Sequence, residues 1–324
     1  MTKAFRSDPA LGRVLLAFAC VYLIWGSTYL AIRIAIETMP PFFMAGVRYL
    51  VAGGLMYGFL RLRGEPGPSA SGWRAATIVG GFLLLGGNGG VVWAEQSVPS
   101  GIAALIISTV PLWIVLLQWV WLGVRPTRRA VFGILLGFFG VAVLIGPDLF
   151  STTTGRIDPI GVLVLLLSSL LWSIGSLYAR HANMAPSPLL ATGMEMIGGG
   201  VLLAFVSLAL GEPGRVHVEK ISFDSLAALA YLILFGAIVG FGAYTWLLKN
   251  VSPTRVATYA YVNPVVAVFL GWAIKGEVLS PRTLGAAAII VASVALTSIL
   301  QSEARPGSSA EEQIPLTGVE EPPA

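Results

Sequence analysis

The chain alternates between long apolar runs and short polar segments over most of its length. A run of about twenty mostly apolar residues is long enough to cross the hydrocarbon core of a membrane as a helix. The first run follows several basic residues, but its apolar stretch is longer than the core of a typical signal peptide, so we interpret it as a membrane helix. The pattern predicts ten spans, at 13–35, 41–62, 73–95, 100–122, 129–146, 159–180, 187–210, 225–248, 253–275 and 282–301.

Composition agrees with a lipid environment. Apolar residues make up 56% of the chain and charged residues 11%, whereas roughly a quarter of the residues in soluble domains are charged. With one cysteine and two histidines, an internal disulfide and a Cys/His metal cluster are excluded, and we predict no cofactor and no metal site. The basic residues do not cluster with aromatic ones, which argues against a nucleic-acid partner.

The distribution of basic residues predicts the orientation of the chain. With a cytoplasmic N terminus, thirteen of the twenty Lys and Arg residues fall on the cytoplasmic side, six fall on the other side, and Arg48 lies inside a span. The positive-inside rule therefore predicts that both termini are cytoplasmic. Outside the spans we predict a cytoplasmic N-terminal segment (1–12), a connecting loop (147–158) and a disordered acidic tail (302–324).

The two halves of the chain repeat one pattern. Each half, 13–146 and 159–301, contains five predicted spans, so the second half is inverted in the membrane relative to the first. Two inverted five-helix repeats are typical of secondary transporters, whose substrate site lies between the halves near the membrane midplane. The matches are Trp25, Arg33, Ala35, Gly46 and Gly53 with Trp172, Arg180, Ala182, Gly193 and Gly200 at an offset of 147, and Trp93, Val98, Pro111 and Gly123 with Trp246, Val251, Pro264 and Gly276 at an offset of 153.

Two charged residues interrupt the cores of predicted spans. Arg48 in the second span and Glu195 in the seventh are repeat equivalents, and each lies roughly 10 Å from the membrane edge at about 1.5 Å per residue. A charge at that depth needs a partner or a water-filled cavity. Either the two side chains pair with each other or with backbone carbonyls and hold the halves in register, or Arg48 binds a substrate anion while Glu195 carries a proton or binds an amine. Glu95, at the end of the third span, is predicted to be interfacial.

Other residues inside the spans are candidates for a cavity or for hinges. The repeat equivalents Pro111 and Pro264 are candidate hinges because each removes a helical hydrogen bond, although static kinks would give the same pattern. For the two tryptophans among the candidates, packing in the core is the alternative role. The candidate cavity residues, besides Arg48, are Trp25, Asn88, Trp172, Tyr259, Tyr261 and Asn263.

Several short motifs, in this order and spacing, resemble the EamA family of the drug/metabolite transporter superfamily, and within it the YedA-like group of bacterial inner-membrane permeases. The resemblance covers about residues 13–300. It implies ten helices in two inverted five-helix repeats around a central cavity, and export of amino acids or related small metabolites across the cell inner membrane by alternating access. The motifs that carry it are Trp25–Tyr29, Pro40-Pro41, Ala45–Arg48, Gly87–Gly89, Ala94–Gln96, Pro99–Gly101, Asn250–Pro253 and Tyr259–Pro264.

Other function classes compete with this one. A facilitator or exchanger of other small solutes or drugs, without proton coupling, would share the same sequence features. An intramembrane enzyme would need a Ser/His pair, paired aspartates or a zinc motif, but both histidines lie in loops, and Asp148, Asp158 and Asp224 lie outside the spans or at their ends. A channel does not explain inverted halves with matched central charges. The expected partners are a small-molecule substrate and the lipid bilayer, and the sequence is compatible with a monomer or a homodimer.

Overall fold

The computed structural model describes residues 11–149, 158–185, 187–251, 253–256 and 258–303. Most of the predicted N-terminal segment, of the connecting loop and of the acidic tail lies outside the described residues. Within the described part, every regular element is a helix. The prediction of an all-α protein is therefore confirmed.

The helices are numbered here along the chain. Short helical turns at Glu212–Arg215, Val218–Lys220 and Pro253–Val256 lie in the loops between them. Among the described residues, seven helices, α1 to α4 and α6 to α8, are long and apolar enough to cross a membrane. The bounds are α1 Leu11–Ala35, α2 Pro41–Leu62, α3 Ala70–Ala94, α4 Ser100–Leu122, α5 Arg128–Leu149, α6 Pro159–Ala179, α7 Pro188–Ala209, α8 Phe223–Leu247, α9 Tyr259–Lys275 and α10 Pro281–Glu303.

The predicted spans agree with the helix bounds to within three residues, except at the start of the ninth. That span was expected to begin at residue 253, but α9 begins at Tyr259. The chain is extended at Val251, and the turn Pro253–Val256 is separate from α9. Thr258 stands between them, and its hydroxyl donates a hydrogen bond to the Arg255 carbonyl at 2.5 Å. The prediction of one unbroken span from 253 was wrong because hydropathy does not register a break of this kind.

Helices α2 and α7 are repeat equivalents, and they pack tightly against each other. A Cβ atom on Gly46 would lie 3.3 Å from a backbone nitrogen of α7, and one on the equivalent Gly193 would lie 3.2 Å from a backbone nitrogen of α2. The second pair, Gly53 and Gly200, repeats the pattern with 2.9 Å on both sides. Small residues at these positions let the two backbones approach closely, as is common in membrane bundles.

Large apolar side chains cover the outside of the bundle. Leu55 on α2, Phe132 on α5, Phe205 on α7 and Phe269 on α9 are 53%, 60%, 71% and 57% exposed. Exposed apolar surface on this scale is unfavourable in water, because monomeric soluble proteins expose only small apolar patches. The outer surface is therefore suited to lipid, in agreement with the helix lengths.

Successive helices run in alternate directions, so the loops fall at two ends. We call the end that contains Leu11 the near end, and the end that contains the loops after α1, α3, α7 and α9 the far end. Contacts between these loops hold the far end together: the Thr38 hydroxyl accepts a hydrogen bond from the Ser222 nitrogen at 3.2 Å, and Lys275 pairs with Glu37. Both contacts join the first half of the chain to the second.

The glycines of α2 provide a test of this packing. Gly53 faces α7 at contact distance, whereas nothing lies within 4 Å of a Cβ atom on its neighbour Gly54. Replacement of glycine by alanine favours a helix by about 1 kcal/mol at either position, but at Gly53 the added methyl group meets backbone atoms, which costs about 1–3 kcal/mol. We expect Gly53→Ala to lower the melting temperature in detergent and Gly54→Ala to leave it unchanged or raise it. Equal shifts in thermal unfolding would contradict the packing described here.

Candidate functional site

A central cavity of about 120 Å³ lies between the two halves of the chain. Its walls come from α1 to α4 in the first half and from α6, α8 and α9 in the second. Residues from both repeats therefore share one site. The residues that were predicted from the sequence and that line this cavity are Trp25, Arg48, Asn88, Trp172, Tyr259, Asn263 and Pro264.

Arg48 is the charged residue of the cavity wall. Its side chain is buried, with 3% exposure, and its Cζ lies 4.7 Å from the centre of the Tyr49 ring. The Nε and Nη1 atoms are buried and have no hydrogen-bond partner among the described residues. A buried cation without a partner is costly, so an anionic group in the cavity would stabilise it through charge-assisted hydrogen bonds.

Two amides add polar groups to the same cavity. Asn88 belongs to α3 in the first half and Asn263 to α9 in the second. The Oδ1 atom of each is buried and has no partner among the described residues. Buried amides are normally hydrogen-bonded, so the cavity presents both donors and acceptors to a polar solute.

Wide π-helical turns occur next to the residues that line the cavity. In α1 the segment Cys20–Ile24 ends directly before Trp25. In α3 the segment Gly81–Gly89 contains Asn88, and in α8 a third segment, Leu232–Val239, contains the lining residue Gly236. Such turns often mark functional sites in helices, because they redirect side chains and leave backbone groups available.

Trp25 joins the first half of the chain to aromatic residues of the second. Its ring centre lies 5.2 Å from that of Phe241, 5.1 Å from that of Tyr244 and 5.4 Å from that of Tyr259. Its Nε1 atom donates a hydrogen bond to the Gly236 carbonyl at 3.2 Å. The indole therefore has the polar partner that a buried tryptophan needs, and it forms an aromatic wall of the cavity.

The structure does not bring all of the sequence candidates to the cavity. Glu195 is outside its lining and packs beside Gly80 of α3, and in the described part of the chain it forms no ion pair with Arg48. The alternative in which these two charges hold the halves together is therefore not observed. Tyr261 also lies outside the lining, and packs against apolar residues of α4, α5 and α10.

The two equivalent prolines have different surroundings. Helix α4 is interrupted at Ser108 and Thr109, and Pro111 lies in the first turn of the segment that resumes at Val110. Pro264 instead lies inside α9 and lines the cavity. Because the same residue type at equivalent positions has two backbone environments, the two repeats adopt different conformations in this structure.

Glu95 was predicted to be interfacial, and it directly follows the last residue of α3. Its side chain is completely buried at the far end, with 0% exposure, and both carboxylate oxygens have no hydrogen-bond partner among the described residues. The Arg33 side chain donates a hydrogen bond to its backbone carbonyl. The apolar run does end at Glu95, but Arg33 of α1 covers this end of the helix. Hydropathy gives no sign of a contact between two helices.

A family model described as the EamA-like transporter family matches residues 12–146 and 159–299, one match in each half of the chain. The chain belongs to this family. An Escherichia coli K12 protein described as the uncharacterized inner membrane transporter YedA is 39% identical over 284 residues, which cover 87% of this chain and 90% of the relative.

Other relatives of this EamA-like transporter are more distant. A Salmonella typhimurium protein described as a probable amino-acid metabolite efflux pump is 25% identical over 278 residues, or 84% of this chain and 90% of the relative. The chain in one crystal structure is 21% identical in sequence to this chain, with a TM-score of 0.62. The match covers 91% of this chain and 99% of the chain in the crystal structure. That structure shows the same fold.

These findings place the EamA-like transporter among multi-pass proteins of the inner membrane. Its family and its relatives are transporters and not enzymes, so the prediction that excluded an intramembrane enzyme is confirmed. Its partners are a small-molecule substrate and membrane lipid.

Arg48 and Arg33 give contrasting predictions for stability. Among the described residues Arg48 forms no salt bridge, and its Nε and Nη1 atoms have no hydrogen-bond partner. Because burial of a charge without an ion pair is costly, Arg48→Met should raise the melting temperature in detergent by about 2–4 °C. Arg33→Met removes a hydrogen bond to the Glu95 carbonyl and should lower the melting temperature. Loss of stability in both variants would show that Arg48 is a structural residue.

Proposed function

We propose that this protein exports amino acids or related small metabolites across the bacterial inner membrane by alternating access. One observation carries the proposal: Arg48, Asn88 and Asn263 present to one cavity between the repeats buried polar atoms that have no hydrogen-bond partner among the described residues. A substrate that occupies this cavity would contact both halves, as the site of an inverted-repeat transporter requires.

The chemistry of the three residues suits a molecule with a carboxylate. The Arg48 guanidinium can donate two parallel hydrogen bonds to the two oxygens of a carboxylate. The amide oxygens of Asn88 and Asn263 can accept hydrogen bonds from an ammonium or hydroxyl group of the same molecule. The aromatic rings of Trp25 and Tyr259 provide an apolar surface and can interact favourably with a nearby cation.

The size of the cavity supports a small substrate. Pockets for drug-sized ligands have volumes of about 300–1,000 Å³, whereas this cavity has about 120 Å³. One relative is described as a probable amino-acid metabolite efflux pump, which supports amino-acid-like substrates and export as the direction of transport.

The conformation of the far end supports a gate at that end. Ala35, Met39 and Val98 are buried there, with exposures of 0%, 3% and 0%, and Glu277 binds the first turn of α4 through the nitrogens of Ser100 (2.8 Å) and Gly101 (3.0 Å). With all ten helices crossing the membrane and both termini cytoplasmic, the far end faces the periplasm. In this proposal the structure represents a state that is closed to the periplasm, and export requires these contacts to separate.

The role of Arg48 is tested by uptake of radiolabelled amino acids into proteoliposomes. Loss of a charge-assisted hydrogen bond costs about 1.5–3 kcal/mol, so Arg48→Gln should reduce saturable transport by tenfold or more, whereas Arg63→Gln, at an exposed loop arginine, should not. Amines that lack the carboxylate should compete poorly. Full transport by Arg48→Gln, or equal competition by amines, would rule out carboxylate recognition by Arg48.

Proton coupling through Glu195 is a separate proposal, and a facilitator or exchanger without coupling is its alternative. Glu195 is repeat-equivalent to Arg48 but lies outside the cavity lining, so its protonation would act through the packing of α7 against α3. If Glu195 carries the proton, an imposed pH gradient should stimulate transport in the wild type and should not do so in Glu195→Gln. If transport ignores the gradient in both proteins, the facilitator or exchanger is favoured.

A further inference from the structure

The loops after α2 and α7 contain the same tetrapeptide. Residues 64–67 and 211–214 both read Gly-Glu-Pro-Gly and are related by the repeat offset of 147. The first glycine of each has a positive φ, 85° at Gly64 and 68° at Gly211, so the two turns begin with the same backbone conformation. Because α2 and α7 run in opposite directions, the first tetrapeptide lies at the near end and the second at the far end.

Glu212 of the far-end tetrapeptide binds the start of α2. Its Oε2 accepts a hydrogen bond from the Phe43 nitrogen at 2.6 Å, and its Oε1 accepts a longer one from the Phe42 nitrogen at 3.4 Å. The residue is buried, with 1% exposure. The first N–H groups of a helix have no partner within the helix and carry partial positive charge, so a carboxylate there acts as an N-terminal cap. This cap joins the second half of the chain to the first.

Glu65, the equivalent residue at the near end, makes no such contact. Its side chain is half-buried, and among the described residues its carboxylate accepts no hydrogen bond. At the start of α7, the side chain of the N-cap residue Ser187 makes no capping hydrogen bond in the described part of the chain. Leu189 and Leu190, the equivalents of Phe42 and Phe43, hold the positions in α7 whose N–H groups Glu65 would bind.

The two helix starts have similar backbone geometry, with an extended N-cap residue and an equivalent first helical bond. In α2 the first helical bond runs from the Met44 nitrogen to the Pro40 carbonyl at 3.0 Å, and in α7 the equivalent bond runs from Ala191 to Ser187 at 2.9 Å. The glycine contacts between α2 and α7 are also equal on both sides. The docking of Glu212 but not of Glu65 is therefore explained neither by the tetrapeptide itself nor by the α2–α7 contact. The surroundings differ in that the loop after α7 is longer and in that Arg215 lies 3.9 Å from Glu212, where the repeat-equivalent residue is Pro68.

We propose that Glu212 and Glu65 are alternating latches of the transport cycle, so that Glu212 caps α2 while the far end is closed and Glu65 caps α7 when the near end closes. This inference rests on the proposed alternating access and adds two positioning residues to it. The Glu212 latch holds α2, the helix that carries Arg48, so docking and release of this carboxylate would accompany movement of the Arg48 helix.

Identical latches at the two ends keep the two states close in free energy. When one cap is lost as the other forms, the net change in free energy is small. A transporter needs this because both states must be populated. The contact of Glu277 with α4 has no counterpart, since the repeat-equivalent residue is Val124. The two latch glutamates are therefore repeat equivalents, although only Glu212 has an arginine beside it, Arg215 at 3.9 Å. The Glu277 contact favours a closed far end.

The latches can be tested without knowledge of the substrate. In a Cys20→Ser background, Ser108→Cys places one thiol in the cavity wall, and a membrane-impermeant maleimide is added to either face of the membrane in vesicles of defined orientation. A separate Val218→Cys sample, in an exposed far-end loop, identifies the membrane face that carries the far end. The readout is the ratio of the labelling rate from the far face to that from the near face.

The two variants should move this ratio in opposite directions. Loss of one helix cap of ordinary strength corresponds to about a fivefold change in the ratio, so Glu212→Gln should raise it about fivefold and Glu65→Gln should lower it about fivefold. The double variant should return towards the wild type. Glu219→Gln, at an exposed glutamate near Glu212 in the same loop, should leave the ratio unchanged.

The latch proposal would be overturned if the labelling ratio shifted in the same direction in both single variants. It would also be overturned if the labelling ratio of Glu65→Gln equalled that of Glu219→Gln. If Glu212→Gln does not fold, the Glu65→Gln result alone tests the latch proposal, because loss of the Glu65 carboxylate removes no contact of this structure. Failure of the proposed function is distinguishable in the same samples: a shifted ratio without amino-acid uptake would refute the substrate class and keep the latches. Uptake with an unchanged ratio would refute the latches alone.

Discussion

The close contact between α2 and α7 is the constraint on which the rest of the structure depends. Four glycines at equivalent positions bring the two helix backbones together, and this pair joins the two halves of the chain. Tight packing of this kind resists deformation, because a side chain at any of these positions would meet the backbone of the facing helix. The contact is the same on both sides of the pair, so the halves can differ elsewhere while sharing a common axis.

Around this axis, the cavity contains a buried cation that forms no salt bridge among the described residues. Arg48 is buried on α2, and two of its nitrogens have no partner in the described part of the chain. A stable bundle alone would favour an apolar residue or an ion pair there, because an unpaired buried charge lowers stability. The cost is understandable at a binding site, where the substrate supplies the missing partner, and sites of function commonly trade stability in this way.

The two repeats have related sequences and different structures. Pro111 follows a break in α4, whereas Pro264 lies inside α9. Glu212 is docked and Glu65 is not. Alternating access by inverted repeats requires this relation: if each half can adopt the conformation of the other, exchange of the two conformations opens one end and closes the other. The asymmetry of the structure and the symmetry of the sequence together support such an exchange.

The sequence by itself determined the membrane character, the positions of most helices and the repeat, because hydropathy and recurring residues are properties of the chain alone. It also indicated Arg48, Asn88 and Asn263, since lipid rejects such groups. Tertiary structure decided which polar residues share a cavity, and it placed Glu195 outside that cavity. It also decided that Glu95 is buried and that only one of the two identical tetrapeptides is docked. These outcomes depend on which helix covers each side chain, and residues far apart in the chain provide that cover.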